Sequence, residues 1–581
     1  MFKKLLALVI IAVFVSSAAA QTAVTKPDEA TAKLEKEAVE FLRETSAEVG
    51  RLRTAENRLS FNAELASLMW FHDEREARTM YGGVIDEFKN LLAQFDVQMN
   101  MPIVDDDDDM SPGLFGPGGG RRVERKFRIA MGVRRQIAMS LAEHAPDLAF
   151  NFFYDSLSLI TNAEFRKETE MQDKYFESQL MKQIAESDAS KAVEYGTRSL
   201  KNGVNSNHIE LLKKIYAKDV DKGIEFGAAV LSRLKSEKND PEKIYTFGSL
   251  LTFGSSNFEA SRKPGEKKAI YTQTELRDIA DRVAQIALGD SDEVAGYTVF
   301  GYLDEIEKYS PARAQQIRVR FKNDLSSNTV ANAMFTAANA VANAASSSAN
   351  TAMAKYEAEQ REREEREKRE KQMLTDILGV GNKELPKEQR TKIIAESRKI
   401  ISQTRGKDKK IVALSLLAAQ VAKIGDKDLA NEIMRDAERM VNPEPRNYQD
   451  FMLSWILASG YAEANPDKAF PILETTILRA NETISAFIKV AEFIDVNAEM
   501  IDEGEFQVGM FGGEMIRGMT RELGMAAAPL KTLARADFEK TRNLTNVFDR
   551  TETRVLAKML VLRSVLDKRE VKPDMSDEFE K

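Results

Sequence analysis

The chain has 581 residues, with 92 Asp and Glu against 84 Lys and Arg, three histidines, no cysteine and a formal charge of −8. Without cysteine there can be no disulfide framework, cysteine–zinc site, c-type haem attachment or lipid-acceptor thiol, and the acidic balance argues against nucleic acid or anionic lipid as a general partner. The length exceeds what one hydrophobic core can hold and implies roughly two to four domains or one extended repeat array.

Residues 1–20 read as a secretory signal peptide: Lys3 and Lys4, an apolar run from Leu5 to Val15, then Ser16, Ser17 and Ala18-Ala19-Ala20. The run is about half the roughly 20 residues that a spanning helix needs, so cleavage after Ala20 is expected rather than an integral membrane anchor. Loss of Lys3 and Lys4 takes the charge from −8 to −10. The expected product is an exported chain, periplasmic or secreted, and not a lipoprotein.

Residues 21–100 are predicted as N-terminal helices, with Leu34, Ala38, Phe41 and Leu42 at three- and four-residue steps, and with Trp70 and Phe71 ahead of Tyr81. Residues 101–122 are predicted as a flexible acidic and glycine-rich loop, carrying Asp105 to Asp109 and then Gly113 to Gly120. Alternating Asp105, Asp107 and Asp109 suggest calcium. However, Met110 stands where an EF-hand needs glycine and Gly116 where it needs glutamate, so no metal is expected. No Lys-Ser or Lys-Thr follows the glycines, which removes a phosphate loop.

Residues 123–325 form a first helical-repeat block. A cap-type residue recurs with a small residue four positions on: Asp188 with Ala192, Asp219 with Gly223, Ser310 with Ala314, and a looser Ala145 with Ala149. Pro146 and Pro311 sit at first helical positions, where no amide partner is lost. Each pair predicts a helix, a short turn and a second helix. Beside the first turn cluster Phe150, Phe152, Phe153 and Tyr154, which are core by default and candidate partner-binding anchors otherwise. His72, His144 and His208 lie at no metal-binding spacing and are expected at the surface or half-buried. Ser232 and Lys235, with Ser255-Ser256-Asn257 and Lys263-Pro264-Gly265, superficially resemble three serine β-lactamase elements, but lie too close together and on the wrong kind of fold.

Residues 326–374 are predicted as an Ala/Asn-rich and charged helical spacer, with Glu359–Arg363, Glu362–Arg366, Glu364–Lys368 and Glu367–Lys371 in favourable i, i+4 order. Residues 375–581 form a second block, with Asp426 and Ala430, then Asn465 and Ala469, repeating the turn. Within it, a Gly/Met-rich loop at about 502–525 offers Met510, Met515 and Met519 as an adaptable partner-binding lip or soft copper ligands. No histidine or cysteine joins them, so a loosely packed loop or short hairpin without cofactor is expected.

The fold class is therefore all-α, an irregular helix-pair repeat array or α-solenoid in two blocks. From Leu414 to Pro443 the chain resembles a degenerate tetratricopeptide repeat, with Leu414, Leu417, Ala418, Val421, Ala430 and Met434 at its signature places, Pro443 one residue late and the aromatic members missing. HEAT-like arrays fit the uneven spacing about as well. The resemblance implies a curved stack of helix pairs and no transferable functional residue. With no catalytic set apparent, the expected function is an exported, non-enzymatic helical-repeat scaffold that holds proteins or peptides in the cell envelope. The alternative is an exported all-α enzyme, a polysaccharide lyase or glycosidase of α/α-toroid type working with carboxylates.

Overall fold

The computed structural model describes residues 29–100, 122–238, 240–263, 267–289, 298–321, 368, 372–382, 385–494, 501–507 and 524–567. The signal peptide and the acidic loop up to residue 121 lie outside these residues, as does nearly all of the charged spacer. The described chain is helical apart from one small hairpin. In order come α1 Glu29–Val49, α2 Ala55–Trp70, α3 Glu74–Met99, α4 Arg122–Ala142, α5 Pro146–Ser158, α6 Ala163–Ser187, α7 Ala189–Ser199, α8 Ser206–Lys218, α9 Val220–Ser236, α10 Ile244–Ser261 and α11 Gln273–Gly289. They are followed by α12 Leu303–Tyr309, α13 Pro311–Arg320, α14 Lys387–Gln403, α15 Lys407–Lys423, α16 Lys427–Glu438, α17 Tyr448–Ala464 and α18 Pro466–Ile494. The antiparallel pair β1 Ile501–Asp502 and β2 Glu505–Phe506 precedes α19 Gly524–Ala536, α20 Phe538–Thr545 and α21 Thr551–Leu566.

At Asp188, Asp219, Ser310, Asn465 and Asp537 the two helices share a joint one residue long, whereas at Ala145 and Asp426 three residues separate them. Asp188 sits at φ −140° and ψ 99°, an extended residue between two helices. Its N–H donates back to the Ile184 carbonyl at 2.7 Å, its carbonyl accepts from Ala192 N at 3.1 Å, and its carboxylate accepts from Lys191 N at 3.0 Å. One residue thus closes the last turn of one helix and caps the first turn of the next. Asp219 repeats all three bonds, with Ile215, Gly223 and Lys222. Asp426 caps through Leu429 N and Ala430 N, though its own N–H reaches back to Val421. Asn465 donates to Tyr461, and Ala145 keeps the backbone bonds to Leu141 and Ala149. Ser310 also keeps the backbone bonds, to Ile306 and from Ala314, but its hydroxyl donates to Asp281 at 2.5 Å instead of capping.

Burial explains the spacing. The residue four before the joint faces inward (Leu141, Ile184, Ile215, Ile306, Tyr461), and the small residue four after it (Ala149, Ala192, Ala314, Ala430, Ala469) is fully buried. A Cβ on Gly223 would lie 2.6 Å from Tyr216 Cα, so the crossing of α8 and α9 admits only glycine without a shift. Two further joints carry the same bonds: Asp73 with Met69 and Ala77, and Asp537 with Leu533 and Thr541. The tetratricopeptide-like stretch maps onto α15 and α16, where Leu414, Leu417, Ala418, Val421, Ala430 and Met434 all enter one core. Exposed ion pairs run between neighbouring helix pairs: Asp147–Lys191 at 3.0 Å, Asp221–Lys268 at 3.0 Å and Asp467–Lys540 at 3.1 Å. In each, the Asp stands two residues after a joint.

The chain divides into two compact units. Unit one comprises Met1–Ser140, Ser158–Asn162 and Ala358–Lys581, and unit two comprises Leu141–Leu157 and Ala163–Glu357. The sequence sets residues 21–100 apart from 375–581, whereas the structure places the described helices of both in unit one. The cause is one shared core: Ala38, Phe41, Leu42, Val49, Phe61 and Leu65 from the early helices pack with Leu530, Val555, Met559, Leu562 and Leu566 from the late ones.

Candidate functional site

The aromatic cluster after the Ala145 joint splits between interior and surface. Phe152 and Phe153 are buried in unit two, which corrects their candidacy as partner-binding anchors, because their faces are already spent on packing such as Phe153 against Phe176 at 5.2 Å. Phe150 is half-buried and stacks on Tyr195, with centroids 3.8 Å apart and planes 4° from parallel. The Tyr195 hydroxyl donates to Asp147, to which Lys191 also reaches. Burial and that carboxylate push the Tyr195 phenol upward, while the hydrogen bonds from Tyr195 and Lys191 hold Asp147 below the usual carboxylate range. Tyr154 is 38% exposed, its ring 4.6 Å from Phe150. Sequence reasoning missed the most exposed apolar pair among the described residues of unit two, Met171 at 64% and Tyr175 at 69%, one turn apart on α6. The available signal was that Met171 and Tyr175 fall off the stripe of Thr169, Asp173, Leu180 and Ile184 that α6 buries. Met510, Met515 and Met519 lie outside the described residues.

His208 is not at the surface. It is 4% exposed, its Nδ1 accepts from Asn205 N at 3.1 Å, and its Nε2 lies 2.9 Å from Ser199 Oγ. Because Nδ1 accepts from a backbone amide, Nε2 carries the proton and points it at the serine, the reverse of a base activating a nucleophile. The Ser199 hydroxyl donates onward to the Gly196 carbonyl at 2.8 Å. Burial, with Lys243 nearby, lowers the imidazole to about 4. The dyad is thus a helix-start clamp, made possible because Asn205 and His208 form a capping box. His72 and His144 are half-buried, and His72 Nε2 lies 3.2 Å from the Leu566 carbonyl. Ser232 is exposed and Lys235 pairs with Asp278 at 2.6 Å, so no serine–lysine centre forms.

The densest polar chemistry lies along α2 in unit one. Apolar side chains cover most of that helix, yet Glu56, Asn57, Ser60, Glu64 and Ser67 are also buried on it, at helical steps. Ser60 donates to Gln136 at 2.6 Å, Gln136 Nε2 returns to the Ser60 carbonyl at 3.3 Å and to Glu64 at 3.4 Å, and Arg563 meets Glu64 at 2.5 Å. The Glu64 and Arg563 side chains are 2% and 5% exposed. At the start of α2 a distant carboxylate performs the cap. Thr54 makes no cap bond of its own; Glu505 instead accepts from Arg53 N at 2.7 Å, Thr54 N at 3.1 Å and Thr54 Oγ1 at 3.1 Å. Lys126 anchors the same hairpin through Asp502 at 2.6 Å. Burial raises the Glu56 carboxyl, Asp502 and Glu503 push the same way, and Lys126 opposes them. Glu48 goes the other way: burial alone would raise it, but hydrogen bonds from Lys558 and Arg554, both at 2.6 Å, outweigh that and lower it. Glu48 and Glu64 hold helices to one another, and Glu505 holds the hairpin to the start of α2. Among the described residues no group of three His, Asp or Glu is placed to hold a metal ion, and no helix is long and apolar enough to cross a membrane.

No family model and no curated protein matches the chain. Among solved structures it is similar to a "Circular tandem repeat protein with novel repeat topology and enhanced subunit contact surfaces", 13% identical over 91% of this chain and 97% of that one, with a TM-score of 0.13. A TM-score of that size carries no argument, and the repeat architecture rests on the joints described above.

Proposed function

We propose that the chain is an exported scaffold of the cell envelope that holds other proteins or peptides on its helical-repeat surface. The observation that carries this reading is the exposed Met171–Tyr175 pair on α6, two large apolar side chains on one helical face of a unit whose other large apolar residues are mostly spent on packing. Tyr154 and the half-buried Phe150 are the members of the aromatic cluster available to the same role. The signal-peptide pattern supports the address, and stacked helix pairs supply an extended surface of the kind that repeat proteins use for binding.

The test is crosslinking capture from envelope fractions by the mature chain. The double substitution Met171→Ala and Tyr175→Ala is expected to weaken recovery of a reproducible partner about tenfold or more, the scale of one modest hot spot, with helicity unchanged. Equal recovery by both proteins would remove that face from the reading. A second reading, the carboxylate enzyme, is favoured by one juxtaposition: a buried Glu56 with a raised pKa near an Asp502 paired to Lys126. Turnover of a polysaccharide that disappears in Glu56→Gln, with the fold intact, would put the enzyme first.

A further inference from the structure

We infer that the segment behind the signal peptide is withheld from folding until the late helices have been made, so that the part of the chain that leads export stays threadable. The inference rests on the export reading for its purpose but not for its mechanism. The mechanism lies in which residues complete unit one. Helix α1 buries Ala38, Phe41, Leu42, Thr45 and Val49. The other side of that core comes from Val555, Met559, Leu562 and Leu566 of α21, with Phe538 of α20 edge-on to Phe41 at 6.0 Å.

The polar contacts obey the same division. Glu48 is paired with Arg554 and Lys558, Glu64 with Arg563 and Glu44 with Arg542, across sequence separations of 506, 510, 499 and 498 residues. The start of α2 is capped by Glu505 from 451 and 452 residues away. Until those late residues exist, folding α1 and α2 would leave the apolar face of α1 open to water and the ion pairs of Glu44, Glu48 and Glu64 with the late helices unmade, which the local helix pair cannot offset. Loop closure over such a distance adds little entropy cost relative to a shorter loop, because that cost grows only with the logarithm of length. Supply of the late helices is therefore the limiting step. At roughly 5–20 residues per second, synthesis of the intervening ~500 residues takes about 25–100 s, ample time for a leading segment to engage export machinery. Apart from the short interruption at 158–162, unit two is continuous in sequence and has no such dependence.

The test uses ribosome-bound chains of the full sequence stalled downstream of Arg320, downstream of Ile494, and beyond Lys581 through a linker, each exposed to a protease pulse. Cleavage within α1 to α3 is expected to be at least tenfold faster in the first two than in the third, while α8 and α9 become protected once they have emerged. Protection of α1 to α3 in the chain stalled downstream of Arg320 would overturn the inference. A second arm follows signal-bearing full-length precursor whose export is delayed and then released. Met559→Asp, which breaks the closure, is expected to leave at least twice as much precursor still processable at Ala20 as the natural chain does. Equal processing would overturn the link between closure and export. No processing of either precursor would refute the export reading itself and with it the stated purpose, while the stalled chains still decide the order of folding.

Discussion

His208 shows how a single buried side chain ties stability to pH. Its imidazole titrates at about 4 in the folded chain against 6.5 for an ordinary histidine, so between those values the unfolded chain binds the extra proton and the folded one does not. Stability is therefore complete above about pH 6.5 and falls as the pH drops toward 4, by on the order of 3 kcal/mol for a group so deeply buried. Denaturant titrations of unit-two unfolding at pH 7 and pH 4.5 should show that slope, and His208→Gln should flatten it while lowering stability at pH 7 by about 1 kcal/mol through the lost clamp. Glu64 makes a different prediction. Glu64→Gln alone should cost about 3–5 kcal/mol by taking the carboxylate from the buried Arg563 charge, whereas Glu64→Gln with Arg563→Met should recover most of that loss in a double-mutant cycle. Neither environment is legible in the sequence: His208 reads as a surface or half-buried helix residue because its clamp depends on Ser199 belonging to the previous helix. Glu64 is one acid among 92, and nothing local singles it out.

At the scale of the element, the joint is the unit of construction, and glycines report on it. Gly223→Ala removes a poor helix former, which alone would stabilise by roughly 0.5–1 kcal/mol, but its Cβ would strike Tyr216 backbone at 2.6 Å. The collision should win, with a net loss of about 1–3 kcal/mol by thermal melting. Gly83 on α3 meets nothing within 4 Å, so Gly83→Ala should raise stability by about 0.5–1 kcal/mol. Equal signs for the two substitutions would show that close approach at the joint is not what selects glycine there. The joints at Asp188, Asp219, Asp426 and Asn465 were legible because cap chemistry and a small residue one turn later are both local. Asp73 with Ala77 carries the same pattern and could have been read. Asp537 hid because Thr541 fills the place of an alanine, and Ser310 kept the pattern while its hydroxyl turned to Asp281.

Across the whole molecule, local patterning stops being informative. Helical period and composition identify the class along the described residues, yet no sequence step connects Phe41 with Met559, and the amphipathic stripe of α1 looks the same whichever helix covers it. The grouping of residues 29–100 with the late helices is a tertiary fact of that kind. It predicts a coupled response: Met559→Ala should destabilise unit one by about 2–4 kcal/mol, the cost of truncating a buried methionine, and hydrogen exchange in α1 should rise together with that in α21. Faster exchange confined to α21 would mean that the early helices stand without their late partners.

The one-residue joint also governs which changes in length the array can absorb. A residue added inside a helix far from a joint turns the remainder by about 100° and shifts it by about 1.5 Å, an error that can be relaxed at the free end of that helix. A residue added at the joint breaks the bonds on both sides of it, since the same amino acid donates to one helix and accepts from the next. Lineages of this architecture should therefore accumulate insertions and deletions at the ends opposite the joints and keep the nine positions from Ile184 to Ala192, or their counterparts, in fixed register. Drift of that kind erases any constant period while the turn itself stays intact, so further members are better sought by the nine-residue frame than by repeat length.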